Sequence, residues 1–159
     1  LYLSNDLGLT WTLLNTNPYP PGVTPSPTMF LKVVAINPFN LQYIYAGYNY
    51  GGIAISEDGG LTWIYATAGI PAEARIMDIV LDPGRPGVVY AGAYESGIYY
   101  STNGGETWMS LNSGLLTRAV HDLSLTENGS VLYMASEGAG VFRLGEITYQ
   151  LYLPLITRR

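Results

Sequence analysis

Apolar residues run along this chain in short blocks of three or four, each bounded by glycine, proline, asparagine or aspartate. Val33-Val34-Ala35-Ile36 stops at Asn37-Pro38, Tyr43-Ile44-Tyr45-Ala46 at Gly47, and Ile53-Ala54-Ile55 follows Gly52. The same order returns as Ile79-Val80-Leu81 before Asp82-Pro83, Val88-Val89-Tyr90-Ala91 before Gly92, and Ile98-Tyr99-Tyr100 after Gly97. Blocks of this length, rich in β-branched and aromatic residues and separated by turn formers, predict strands. Each unit reads as strand, proline-containing turn, strand, glycine-rich turn, strand, turn, strand.

The last turn of each unit has a fixed composition. Ser4-Asn5-Asp6-Leu7-Gly8-Leu9-Thr10-Trp11, Ser56-Glu57-Asp58-Gly59-Gly60-Leu61-Thr62-Trp63 and Ser101-Thr102-Asn103-Gly104-Gly105-Glu106-Thr107-Trp108 share the form Ser-x-Asp-x-Gly-x-Thr-Trp, with Asn103 at the Asp place of the third. The chain has 3 Trp, and all lie in these turns. Short Asp, Asn and Ser side chains bond nearby backbone N–H groups and glycine supplies positive φ, so the pattern predicts a hairpin clip leading into a returning strand. The competing reading is a cation or sugar site at Asp6, Asp58 and Asn103. One carboxylate per turn is a thin ligand set for calcium, which takes about six to eight oxygens, and no metal or cofactor is expected.

The pattern resembles the Asp-box, or bacterial neuraminidase repeat, of sialidases, sortilin-type receptor domains, xyloglucan-degrading endoglucanases and photosystem II assembly factors. The resemblance implies an all-β fold, a β-propeller of four-stranded antiparallel blades, with each box between the third and fourth strands and away from any active site. The boxes stand 52 and 45 residues apart, near the spacing of about 40–50 of blade repeats. The predicted layout is a half blade over 1–17, blades over 29–68 and 74–113, and a degenerate last blade over 119–153, followed by a tail at 154–159: three to four blades, a partial propeller. In the last blade Asn128-Gly129 reads as a two-residue hairpin, although Asn128-Gly129-Ser130 also fits a glycosylation sequon. No box follows Gly140–Leu144, and Ile147–Leu153 is the expected closing strand. The chain enters the first blade at its third strand. The expected partners are therefore the rest of a longer propeller or, failing that, other copies of the chain.

Two stretches interrupt the repeat. Asn15 to Thr28 holds five prolines and is either a stiff connector or an extended loop presenting Tyr19 for binding. The ending Leu151-Tyr152-Leu153-Pro154-Leu155 is similar to the Tyr-Leu-Pro-Leu endings of many exported, cell-surface bacterial proteins, and a closing strand with a basic tip explains it equally.

Composition narrows the function. The net charge is −5 with a single lysine, Lys32, which disfavours a nucleic-acid backbone as partner. It also lacks the arginine patch that a photosystem-assembly-like role predicts. No run is long enough to form a membrane-spanning helix. The absence of cysteine removes disulfides, thiolate metal sites and a cysteine nucleophile.

Candidate chemistry is sparse. Asp78 and Asp122 hold matched places on first strands, which the propeller resemblance puts along the central channel, and His121 adjoins one of them. They are the acid–base candidates, with Val33 at the same place one blade earlier. Arg75 and Arg118, each just before a first strand, are the binding candidates. Symmetry argues for a structural role instead. The expectation is an exported binding or assembly module at the cell surface, non-catalytic in this segment, with a glycan as possible ligand. The alternative is the C-terminal part of a sialidase-like or xyloglucanase-like glycoside hydrolase.

Overall fold

The structure, a computed structural model, describes residues 2–13 and 29–145. Among them there is no helix. Thirteen strands form four antiparallel sheets. β1 (Tyr2–Leu3) and β2 (Thr12–Leu13) make a hairpin around the first box. β3 (Leu31–Ile36), β4 (Ile44–Tyr48), β5 (Ile53–Ser56) and β6 (Ile64–Tyr65) form a sheet in sequential order. So do β7 (Arg75–Leu81), β8 (Val89–Tyr94), β9 (Gly97–Ser101) and β10 (Met109–Ser110). β11 (Val120–Leu125), β12 (Leu132–Ser136) and β13 (Gly140–Leu144) complete the described strands. Tyr19, the proline-rich stretch, the expected strand at 147–153 and the tail lie outside the described residues.

The three boxes fold alike, for reasons their side chains supply. In the second, Ser56 Oγ accepts from Gly60 N at 2.7 Å and donates to Asp58 Oδ1 at 2.8 Å, while Thr62 N and Thr62 Oγ1 donate to the two Asp58 oxygens at 2.8 and 2.6 Å. The first box repeats this with Ser4, Gly8, Asp6 and Thr10. In the third, Asn103 keeps the bond from Thr107 N at 3.1 Å, and its amide nitrogen donates to Thr107 Oγ1 at 3.0 Å. The turn needs two successive residues at positive φ, Gly59-Gly60 and Gly104-Gly105, and Leu7 takes that conformation in the first box. The returning strands β6 and β10 begin one residue beyond Trp63 and Trp108.

Packing between sheets uses the two faces of each strand. Ile76 and Ile79 of β7 join Tyr45, Ile53 and Ile55 of the preceding sheet in one buried cluster. Tyr90 and Ile98 join Val120 and Leu123 of the following sheet in another. Each indole's position in the stack decides its burial. Trp108 is 4% exposed and donates Nε1–H to the carbonyl of Ala66 in the preceding sheet at 2.8 Å, Trp63 is 5% exposed, and Trp11, on the terminal hairpin, is 63% exposed.

A second lock joins the turns at the far ends of the first strands. Asp82 is fully buried and paired with Arg85, whose Nη2 also donates to the Gly129 carbonyl at 2.9 Å. A Cβ on Gly129 would lie 2.5 Å from Asp82 Oδ1. That hairpin differs from the two-residue turn expected from Asn128-Gly129. Only Gly129 has positive φ, Gly129 N bonds Thr126 O and Thr126 N bonds Val131 O, so four residues form the loop. Asn128 Oδ1 instead accepts from Thr126 Oγ1, Ser130 N and Ser130 Oγ.

Truncating Trp108 to alanine empties a buried site and breaks the bond to Ala66. It is expected to cost about 3–5 kcal/mol, whereas Trp11→Ala should stay within about 0.5 kcal/mol. Urea denaturation followed by circular dichroism measures both. The Asp6 and Asp58 carboxyls, held by the Thr10 and Thr62 hydroxyls and amides, are lowered from 3.8 to about 2. A folded value below the unfolded one gives stability that is full above the unfolded value and lost as pH falls through the folded one. Melting temperature should therefore drop as pH is taken from about 4 to about 2. An Asp6→Asn/Asp58→Asn variant, with the Asn103 arrangement in all three boxes, should show a flatter profile in melts across that range.

Candidate functional site

The first strands share a β-bulge at one place. Pairing shifts between Leu31 and Val33, between Ile76 and Asp78, and between Val120 and Asp122. Val33, Asp78 and Asp122 are thus structural counterparts, Val33 and Asp78 each on the side of its strand that faces the following blade. Val33 packs against the apolar cluster between the sheets. Asp78 accepts from Ile79 N with Oδ1 and from Leu123 N of the next blade with Oδ2, both at 2.8 Å. Burial pushes its carboxyl upward in pKa against the pull of those two N–H groups, and the nearby Asp122 adds to the rise. Asp122 is exposed. The pair is asymmetric: one carboxylate is engaged across a blade junction, the other faces outward.

His121, the bulged residue of β11, belongs to a different group. Its Nε2 lies 3.3 Å from Glu137 Oε2, and the same oxygen accepts from Tyr94 Oη at 2.6 Å. The Tyr94 and His121 rings meet edge to face with centroids 5.6 Å apart. Arg75 is the register partner of Tyr94, which places its guanidinium 4.6 Å from the centroid of that ring and 5.5 Å from that of Tyr50. Such cation–π contacts hold an arginine in place without a carboxylate. Arg75 Nε is buried with no hydrogen-bond partner among the described residues. The hydrogen bonds from Tyr94 and His121 lower the Glu137 carboxyl, and the carboxylate in turn raises the Tyr94 phenol.

These five side chains come from three blades and share one rim. Arg75 opens β7 and His121 lies at the start of β11, while Tyr94 ends β8 and Tyr50 and Glu137 follow β4 and β12. Antiparallel pairing puts the start of each first strand beside the end of its second. Arg118 stands apart from the strip. Ile76 and Val120 are counterparts, so Arg75 corresponds to Ala119, and Arg118 lies one place earlier, where its charge acts on Tyr99. Sequence reasoning singled out Arg75 and His121 but missed Tyr50, Tyr94 and Glu137. The available signal was the breakdown of the repeat just after each second strand, at Tyr48-Asn49-Tyr50, Tyr94-Glu95 and Ser136-Glu137.

At the opposite ends of the first strands, Ile36, Leu81 and Leu125 line a groove of about 440 Å³ with Pro38 and Pro83. Among the described residues no cluster of three or more His, Asp or Glu is placed to hold a metal ion, and no helix is long and apolar enough to cross a membrane.

Four-stranded sheets in sequential order, stacked face to face with a boxed turn before each outer strand, define a β-propeller arc. Its repeats are of the Asp-box type: residues 99–108 match the BNR/Asp-box repeat family. The chain is similar to a GH74 enzyme of Niastella koreensis, with 27% identity and a TM-score of 0.58 over 70% of this chain and 19% of that one. It is also similar to YCF48 bound to D1 peptide (14% identity, TM-score 0.61, 80% of this chain, 42% of that one). A third similar structure is YCF48 from Cyanidioschyzon merolae (16%, 0.55, 75% and 35%). The last two likenesses establish the fold alone. No curated protein matches the sequence. The chain spans less than half the length of each of these three structures.

Asp78→Ala removes the acceptor of two backbone N–H groups, one of them in the next blade. It should cost about 1–3 kcal/mol, while Asp122→Ala should be within about 0.5 kcal/mol, as read from chemical denaturation midpoints. Equal effects of the two would contradict the asymmetry described above.

Proposed function

We propose that this chain is a propeller arc that works by binding at the cell surface after export, without catalysis in this segment, and that the Tyr50, Arg75, Tyr94, His121 and Glu137 rim is its contact surface. The observation that carries the reading is the convergence of these five residues from three blades on one rim, while Asp78, half of the matched carboxylate pair, is engaged by backbone amides. An exposed tyrosine, Tyr50, beside Arg75 and, further along the strip, a carboxylate beside an imidazole suit a neutral sugar, which stacks on aromatic faces and exchanges hydrogen bonds with polar groups at its edge. The rim also suits a protein segment of mixed character.

The likeness to the GH74 enzyme supports a second reading, in which the arc belongs to a glycoside hydrolase. Such chemistry takes two carboxyl groups flanking the scissile bond, about 5–5.5 Å apart for retention or about 6.5–9.5 Å for inversion. Asp122 would be one of them and its partner would come from outside the described residues.

Titration calorimetry against xyloglucan oligosaccharides separates the readings. Saturable binding without hydrolysis, weakened about five- to tenfold in Tyr50→Ala and Glu137→Gln, is the expected result for a sugar-binding rim, each lost polar or stacking contact being worth about 1–1.5 kcal/mol. Release of reducing ends that disappears in Asp122→Asn would replace it with the enzyme reading.

A further inference from the structure

The turns that carry the chain from second to third strand along the rim call for a left-handed residue, and one blade puts a glutamate there. Pairing of β8 with β9 ends at Ala93 and Gly97, and that of β12 with β13 at Ser136 and Gly140, so the turns are residues 94–96 and 137–139. Tyr94 and Glu137, which meet across the junction, open these two turns. The next residues are Glu95 and Gly138, and both have positive φ, 64° and 73°. In the turn that follows β4, the positive-φ residues are Gly51 and Gly52. A Cβ crowds the following carbonyl in this conformation, so glycine is the residue that suits it.

The segment leading into β11 keeps the Glu95 turn from relaxing. Asn112 Oδ1 accepts from Ile98 N at 2.7 Å, Asn112 Nδ2 donates to the Ser96 carbonyl at 3.0 Å, and Gly97 N donates to the Arg118 carbonyl at 3.2 Å. A sparsely populated backbone conformation persists where its surroundings over-determine it, and such places gather at binding sites. Conformation alone does not mark a site: Leu7 has φ 60° in the first box and offers only an exposed apolar side chain. Glu95 differs in what it carries and where it stands. Its side chain is exposed, and its carboxylate has no hydrogen-bond or ion-pair partner among the described residues. A Cβ on the matched Gly138 would meet nothing within 4 Å, so this place of the turn opens outward. The Tyr94 phenol, raised first by its bond to Glu137, is raised also by the charge of Glu95, which sets that carboxylate beside the strip.

We propose that Glu95 is a specificity-determining residue of the rim, held in the left-handed conformation so that its carboxylate accepts from two adjacent hydroxyls of the sugar. The inference rests on the sugar-binding reading of the rim. The other carboxylate of the strip is already engaged, since Glu137 Oε2 takes the Tyr94 hydroxyl at 2.6 Å and lies 3.3 Å from His121 Nε2. Glu95 is the acceptor left open. An ionised carboxylate only accepts, and it has two oxygens to fill, so its ligand must bring donors. Neighbouring hydroxyls on a pyranose ring bring two, side by side. A sugar blocked at either of them leaves the site's acceptor unmet and is discriminated against.

Stability and affinity should move in opposite directions, which a merely structural glutamate would not produce. Glu95→Gly should melt about 1–4 °C above the parent chain in scanning calorimetry, relief of the left-handed residue outweighing the freedom that glycine gains when unfolded. The same variant should bind xyloglucan oligosaccharides about tenfold or more weakly in titration calorimetry, as the loss of hydrogen bonds to a charged group requires. Glu95→Gln keeps the backbone and one acceptor oxygen, so it should melt with the parent chain and bind with an affinity between the two. Leu7→Gly, which relieves the same conformation away from the rim, should raise the melting temperature and leave affinity unchanged. If Tyr50→Ala weakens binding while Glu95→Gly binds as the parent does, or if Glu95→Gly melts below the parent, this proposal is overturned and the rim reading stands. A parent chain that binds no oligosaccharide would overturn both.

Discussion

The arc depends on the close approach of one blade's second strand to the next blade's first. Gly47 and Gly92 leave no side chain where Ile76 and Val120 enter, and the branched residues fill that space. Any larger residue at either glycine would push the sheets apart along their whole inner edge. The buried tyrosines and isoleucines on both sides would then lose the contacts that make the junctions dry. The outer edge is governed by that same spacing. Trp108 reaches the Ala66 carbonyl because the inner strands hold the sheets at the required distance.

Against this apolar stacking, polar groups mark where the junctions begin and end. Asp78 spans one junction by accepting an N–H from Leu123, and Arg85 spans the same junction lower down through the Gly129 carbonyl and the buried Asp82. An unpaired buried carboxylate is costly, and Asp78 and Asp82 are each satisfied here by partners in the adjoining blade or turn. The boxes contribute differently. Their Ser, Asp or Asn and Thr side-chain hydrogen bonds are local, closing within eight residues, so each box stabilises its own hairpin, and at the third box Tyr45 and Trp108 add hydrogen bonds across the junction.

Much of the fold was legible in the chain. The strand blocks, the boxes and the matched Gly, Tyr and Asp places are local or periodic features, and a repeat makes each copy evidence for the others. The candidate site was legible only in part. Asp78 and Asp122 look equivalent along the chain, and their difference arises because one has a neighbouring blade to bind and the other faces outward. The rim strip was harder still. Tyr50, Tyr94 and Glu137 lie just past strand ends, where the repeat loses its regularity, and they meet only because successive blades stack with their second-strand ends on one side. The four-residue turn at Asn128 shows a similar limit: the Asp82–Arg85 pair presses on Gly129 from another blade and selects the turn that its neighbour can accommodate.

By itself, then, the sequence determined the units: four-stranded repeats, clipped by Ser, Asp and Thr, with small residues at set places on second strands. These depend on hydrogen bonds within a few residues and on side-chain volume, which are properties of the chain alone. Which carboxylate is engaged and which tryptophan is buried were decided only by the tertiary structure. Burial and charge pairing at those residues depend on what stands on the other side of a junction, and the order of residues in one blade does not contain that.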